Sequence, residues 1–203
     1  TPRSIVPVAG LEPPGPAGIY DALAATAAAV ALVPDLQPSV IAQALQSFKV
    51  AGHRGQQVAE ARGIVAIDNS KATNPHAADS ALAGHDSVIW VAGGQLKGAE
   101  VDDLIARHAH RLKAVALMGV DRNIIRESVE KHAPGVPIFV TDDTDPQSAM
   151  DAVCAWAVTQ ASSGDAIVLA PAAASLDMYT GMGQRGVLFA ESVSAYLGGV
   201  APK

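Results

Sequence analysis

The residues best suited to chemistry fall in three short segments and one dipeptide. Asp68-Asn69-Ser70-Lys71-Ala72-Thr73-Asn74 packs hydroxyls, amides and one ammonium just ahead of a helical stretch opened by Pro75. Such donors at a helix N-terminus suit an anion, because the first backbone N–H groups are unsatisfied and the helix dipole favours negative charge there. A capping loop with Thr73 or Asn74 as N-cap is the plainer reading. Lys71 does not fit that reading, since a cation at a helix N-terminus is misplaced unless an anion joins it. Gly93-Gly94 with Lys97-Gly98 offers flexible backbone and a second cation. That combination suits a bound carboxylate as well as a tight turn, but it lacks the spacing and the Ser or Thr of a nucleotide P-loop. In Pro171-Ala172-Ala173-Ala174-Ser175-Leu176-Asp177, small residues let the backbone approach a ligand, and Ser175 either faces it or caps a helix. Finally, His53-Arg54 stands between Gly52 and Gly55. Arg54 there is either a solvated hinge residue or a bidentate phosphate contact.

Other titratable residues carry less. His76, His85, His108, His110 and His132 show no paired metal spacing, and His108 and His110 do not share a helix face. No metal site is expected from them. Asp102-Asp103 and Asp142-Asp143 read as helix-start or surface charges. Cys154 reads as a small buried apolar residue. As the sole cysteine it excludes an internal disulfide framework and a cysteine-based zinc site.

The elements that must position these residues follow from composition and pattern. The 203 residues are 49% hydrophobic, 17% charged and 4% aromatic, with a formal net charge of −6. There is ample material for a core. Negative charge and scarce aromatics disfavour a nucleic-acid partner. No apolar run reaches the roughly 18 residues of a membrane span. The first 20 residues, rich in Pro and Gly, read as an extended segment and loop, followed by a helix over 21–33 and a second opened by Pro38. Two short helices make a thin core, so residues 1–50 are expected to pack on something else. Beyond them, short apolar runs at 64–67, 87–92, 114–118, 137–140 and 166–170 have the continuous character of strands buried on both faces. Helical stretches at 75–82, 101–109, 122–131, 146–161 and 186–197 alternate with them, the last stopped by Gly198-Gly199. The expected fold is α/β, a Rossmann-like and mostly parallel sheet with helices on both faces. Ligands of such sheets bind beyond the carboxyl ends of the strands, where the chemical segments fall.

In their order, His53-Arg54, Asp68 to Asn74, Gly93-Gly94 with Lys97-Gly98, Pro171 to Met178, and Arg185-Gly186 resemble the C-terminal half of the Mur ligase family. The Ser70-Lys71-Ala72-Thr73-Asn74 run is similar to that of the D-glutamate-adding members. The resemblance covers about residues 15 to 197. It implies that residues 1–50 are the tail of a central ATP-binding domain whose P-loop is absent from this chain, and that 51–203 are the C-terminal Rossmann-like domain.

The implied activity is that of a cytoplasmic, ATP-dependent C–N ligase of peptidoglycan biosynthesis. ATP, with Mg2+ held by residues outside this chain, activates the carboxylate of UDP-N-acetylmuramoyl-L-alanine as an acyl phosphate, and the amine of D-glutamate attacks it. Carried over, Arg54 and Lys71 contact the phosphates or the transferred phosphoryl group, and Asn69 stands where the family usually has an Asp on the nucleotide ribose. Thr73, Lys97, Ser175 and the backbone at Leu176 hold D-glutamate. Ala173 and Met182 stand where the family often has a cysteine and an aromatic. The chain alone is expected to be inactive, with rotation about Gly52–Gly55 expected in the intact ligase. The alternative is a non-catalytic α/β module of ligase ancestry that binds a small anion or a partner.

Overall fold

The computed structural model describes residues 4–12 and 16–198, in two compact units that divide between Gly52 and His53. In the first unit, α1 (Pro16–Leu32) and α2 (Pro38–Ser47) form the expected helix pair. Helix α1 starts inside the stretch expected to be loop, with Pro16 in a first-turn position where its missing N–H is harmless. Among the other N-terminal prolines, Pro2, Pro13 and Pro14 lie outside the described residues. Glu12 ties this unit's ends together, taking the Lys49 ammonium at 2.6 Å and the Val50 N–H at 3.1 Å.

The second unit is a six-stranded sheet built from β1 (Gln56–Ala61), β2 (Ile64–Asp68), β3 (Val88–Gly93), β4 (Leu112–Met118), β5 (Ile138–Val140) and β6 (Ala166–Leu169). The strand order is β1-β2-β6-β3-β4-β5. Every pairing is parallel except β1 with β2, an antiparallel hairpin at the edge. Sequence patterning anticipates the five parallel strands and misses β1. Its residues, Gln-Gln-Val-Ala-Glu-Ala, are half polar and half exposed, with no continuous apolar run, so pairing in the hairpin and partial packing of Val58, Ala59 and Ala61 on the core make it a strand.

Five helices cover the sheet: α3 (Pro75–Ala83), α4 (Asp102–His108), α5 (Arg122–His132), α6 (Pro146–Gln160) and α7 (Met182–Leu197). The strands feed two cores by simple alternation. On β3, Val88, Trp90 and Ala92 face a core with Leu82, Leu104, Ile105, Ile125 and Val129 from α3, α4 and α5. Ile89 and Val91 face the other core, with Met150, Val153 and Cys154 of α6 and Phe189 and Val193 of α7. Strands buried on both faces need continuous apolar sequence, which the five runs supply. Cys154 is buried as expected, and burial pushes its thiol far above the ordinary range.

One helix end corrects the sequence reading. Helix α7 begins at Met182, four residues before the expected start. The Gln184 side chain accepts from the Thr180 backbone N–H at 2.7 Å and from its hydroxyl at 3.1 Å, holding the entry despite Gly181 and Gly183. Arg185 is therefore helical and fully buried. At the other end Gly198 is the C-cap, while Gly199 lies outside the described residues. Asn74 is the N-cap of α3, accepting from Ala77 N–H at 2.9 Å, so Thr73 is left without a capping role. No helix among the described residues is long and apolar enough to cross a membrane.

Candidate active site

The carboxyl ends of β2, β3, β4 and β6 run into loops that are laced to one another by backbone hydrogen bonds. Ala172 N–H donates to Ala72 O at 3.0 Å, joining the β6 and β2 loops. Gln95 and Ala174 exchange two bonds of 2.9 and 2.8 Å, joining the β3 and β6 loops. Asp121 accepts from Leu96 N–H at 2.7 Å, and Asp177 accepts from Val120 N–H at 2.9 Å, which fastens the β4 loop to both.

These crossings require close backbone approach. A Cβ at Gly93 would stand 1.9 Å from Met118 O, and one at Gly94 would stand 2.1 Å from Ala174 O. Both glycines have φ in the left-handed half of the map. Lys97 (φ 55°) and Ala172 (φ 58°) adopt left-handed backbone without being glycine. Such conformations persist only where surrounding structure imposes them.

Arg185 holds the group from inside. Its Nε donates to Ser70 Oγ at 3.1 Å and its Nη2 to Ser70 O at 2.9 Å, while Nη1 donates to Ala173 O at 3.2 Å and Gly93 O at 3.4 Å. One buried guanidinium thus fixes the loops that carry Lys71, Lys97 and Ser175. Burial pulls it down to about 10, against the neighbouring Tyr179, Asp177 and Asp68, so it stays charged at neutral pH. Ser70 passes the restraint on, donating its hydroxyl to Met182 O at 2.7 Å. The sequence offers Arg185 only as part of an Arg-Gly pair. Burial of a charged residue beside glycines has no local signature.

On the outside of this frame stand the residues singled out from sequence. Arg54 is exposed, and its neighbours in the chain are bonded to the end of β2. Lys71 N–H donates to His53 O at 3.2 Å, and Gly55 N–H to Asp68 O at 3.1 Å. The fold therefore brings Arg54 and Lys71 onto one segment although 17 positions separate them in sequence. Asn69 and Thr73 are half-buried on the same loop. Lys97 is exposed across the β3 loop, beside an open cleft of about 550 Å³ that Leu96, Gly98, Asp121 and Ile124 help to line. Ser175 is buried at 4%, and the next helix starts only at Met182, so Ser175 caps nothing. Leu176 stands 67% exposed beside it.

The pattern of partners separates these side chains from the rest. Among the described residues, every other Lys and Arg either donates a hydrogen bond to a carboxylate, a carbonyl or a hydroxyl or, in the case of Arg126, forms an ion pair with Glu130 at 3.7 Å. Arg54, Lys71 and Lys97 show no such bond. Nor do the side chains of Asn69, Thr73 and Ser175, or the N–H of Leu176. Three cations and four neutral groups without protein partners gather at the ligand-binding edge of the sheet. Such a set is built to hold an anion with several oxygens.

Fold and site together define a domain of the mostly parallel α/β class with cations gathered at the carboxyl ends of its strands. The family described as Mur ligase, glutamate ligase domain, matches residues 53–173. The chain belongs to the Mur ligase family. UDP-N-acetylmuramoylalanine–D-glutamate ligase of Corynebacterium diphtheriae is 64% identical over 93% of this chain and 39% of its own length. The enzyme of the same name from Corynebacterium efficiens is 56% identical over 98% of this chain and 42% of its own. The chain thus spans about two fifths of the length of these relatives. UDP-N-acetylmuramate-alanine ligase MurC of Thermotoga maritima matches in structure with a TM-score of 0.61 at 17% identity, over 89% of this chain and 38% of that one. MurF of Acinetobacter baumannii matches with 0.59 at 18%, over 88% and 38%. These two likenesses speak for the fold alone.

Proposed function

We propose that residues 51–203 are the C-terminal substrate domain, and residues 1–50 the tail of the central ATP-binding domain, of a ligase that adds D-glutamate to UDP-N-acetylmuramoyl-L-alanine in peptidoglycan synthesis. The observation that carries this reading is the set of unpartnered cations, Arg54, Lys71 and Lys97, on loops that Arg185 fixes together. High identity to D-glutamate ligases supports the choice of substrate. Tyr20, Leu23, Leu32 and Phe48 stand exposed on the first unit, which supports its being part of a larger core.

In this reading Arg54 and Lys71 hold phosphate oxygens of ATP, and Lys71 neutralises charge on the transferred phosphoryl group. Asn69 bonds the ribose as a neutral amide. The two carboxylates of D-glutamate take Lys97, the hydroxyls of Thr73 and Ser175, and the N–H of Leu176. Backbone crossings lock the loops behind these groups, so the amine meets the activated carboxylate with little reorganisation. ATP supplies the phosphoryl group that activates the acceptor carboxylate. Among the described residues no three His, Cys, Asp or Glu side chains converge as a metal site. The Mg2+ of this reading is held, as the family resemblance implies, by residues outside this chain.

Titration of the chain with D-glutamate and L-glutamate, followed by amide NMR shifts, tests the reading. D-glutamate is expected to move resonances near Thr73, Lys97 and Ser175 more than L-glutamate does. Lys97→Ala is expected to weaken that binding about tenfold or more, the scale of one charged hydrogen bond. Equal response to both enantiomers, unchanged by Lys97→Ala, would favour a non-catalytic anion-binding module.

A further inference from the structure

We propose that His53 is a third phosphate-contacting residue of this site, presenting Nε2 beside Arg54 and Lys71 from a ring that the buried Asp68 carboxylate holds. The inference rests on the reading of Arg54 and Lys71 as phosphate contacts.

His53 Nδ1 lies 2.6 Å from Asp68 Oδ2. Asp68 is the last residue of β2 and only 1% exposed, and its other oxygen accepts from Ser70 N–H at 2.8 Å. The carboxylate is thus engaged on both sides within the frame that carries Lys71. The ring is seated against α7 where Gly186 has no side chain. A Cβ there would stand 2.1 Å from His53 Nδ1 and 2.7 Å from Cε1. That edge of the ring faces inward. The side chain is 22% exposed, and Nε2 has no hydrogen-bond partner among the described residues.

His53 is also held at φ 67°, where a side chain is disfavoured, although Gly52 and Gly55 stand close by in sequence. A residue that only joined two segments would be easier to place as glycine. A ring set between a carboxylate and a phosphate donates a proton at both nitrogens. Its backbone is already bonded to Lys71 N–H at 3.2 Å, and Arg54 is its neighbour. One phosphate group would then meet a guanidinium, an ammonium and an imidazole from a segment of two residues and the loop bonded to it.

The two amide side chains separate ligand contact from mere anchoring. Asn places its nitrogen where Nδ1 stood, keeping the bond to Asp68 and losing the outward donor. Gln places its nitrogen near Nε2, keeping the outward donor and losing the bond to Asp68. In the intact ligase that carries this domain, His53→Asn is expected to raise KM for ATP about tenfold with kcat changed less than about twofold and Tm unchanged, since one hydrogen bond to a charged group is lost. His53→Gln is expected to recover most of that affinity while lowering Tm. An ATP KM for His53→Asn equal to wild type overturns the proposal, provided Arg54→Ala raises it. If Arg54→Ala leaves it unchanged too, the underlying phosphate reading fails first. Should His53→Asn not fold, His53→Gln decides: KM within about twofold of wild type supports the contact, and a tenfold rise overturns it.

Discussion

Arg185 does inside the domain what Arg54, Lys71 and Lys97 are free to do at its surface. All four are cations at the same end of the sheet, and only Arg185 spends its donors on the protein. Replacing it by Met would leave Ser70 O, Ala173 O and Gly93 O without a donor and remove the positive charge facing Asp68 and Asp177. Arg185→Met is expected to cost about 3–5 kcal/mol, the range for breaking a buried charged network, read as a lower urea midpoint. Arg185→Lys is expected to recover little, because an ammonium cannot span the carbonyls that the planar fork reaches. An urea midpoint for either variant equal to wild type would remove Arg185 from its proposed place. The surface residues were legible in sequence because they break a local rule: Lys71 sits before a helix N-terminus, where a cation is out of place. Arg185 breaks no local rule and becomes visible only when three distant loops close around it. The same holds for Asp68, whose burial against His53 depends on Gly186, more than a hundred positions later.

At the scale of elements, the parallel strands and their helices were readable because burial on both faces forces continuous apolar runs. The edge strand β1 was not, because hairpin pairing satisfies its backbone whatever its side chains are. The β3–α4 turn carries a prediction of its own. Gly94→Ala would drive a methyl group against Ala174 O and impose an L side chain on φ 130°. It is expected to destabilise the domain by about 1–3 kcal/mol and to disturb amide shifts at both Lys97 and Ser175; a variant with native stability and shifts would show that the crossing is slack.

The contact between α3 and α4 carries another. His108 is buried, its Nε2 lies 2.8 Å from Asp79, and its Nδ1 has no partner. Burial lowers the tendency of the ring to take a proton, outweighing the pull of the Asp79 carboxylate, since a charged ring would bury a second N–H without an acceptor. The unfolded chain therefore takes up a proton near its ordinary value of about 6.5 while the folded chain does so only at lower pH. The stabilisation is present above about pH 6.5 and is lost as pH falls below it. His85, lowered mainly by burial, acts in the same direction. His108→Gln keeps a donor for Asp79 and removes the titration. Its urea midpoint is expected to fall less steeply than that of wild type between pH 7.5 and 5.5; parallel slopes would show that His108 does not contribute.

For the whole molecule, the question is what one domain can do alone. The chain carries a net charge of −6, yet the three cations without a protein partner among the described residues stand on loops at one end of one sheet. That arrangement attracts small anions locally without making the protein a general polyanion binder. On the proposed function, the phosphoryl donor site lies in the part of the ligase outside this chain. No Gly-x-x-x-x-Gly-Lys-Ser/Thr sequence occurs in the 203 residues, and the loop at Gly93 has neither its spacing nor its hydroxyl. Amide formation from a carboxylate needs prior activation, and the amine of D-glutamate has nothing to attack until that has happened. On the proposed function, the chain is expected to bind D-glutamate and yet give no product when supplied with UDP-N-acetylmuramoyl-L-alanine, ATP, Mg2+ and D-glutamate. Release of phosphate and formation of the amide are the measurements, followed together so that idle ATP hydrolysis is not mistaken for ligation. Amide product from this chain would mean that the free cations at the edge of the sheet suffice for activation as well as for positioning, and the division of labour argued from Arg54, Lys71 and Lys97 would have to be redrawn.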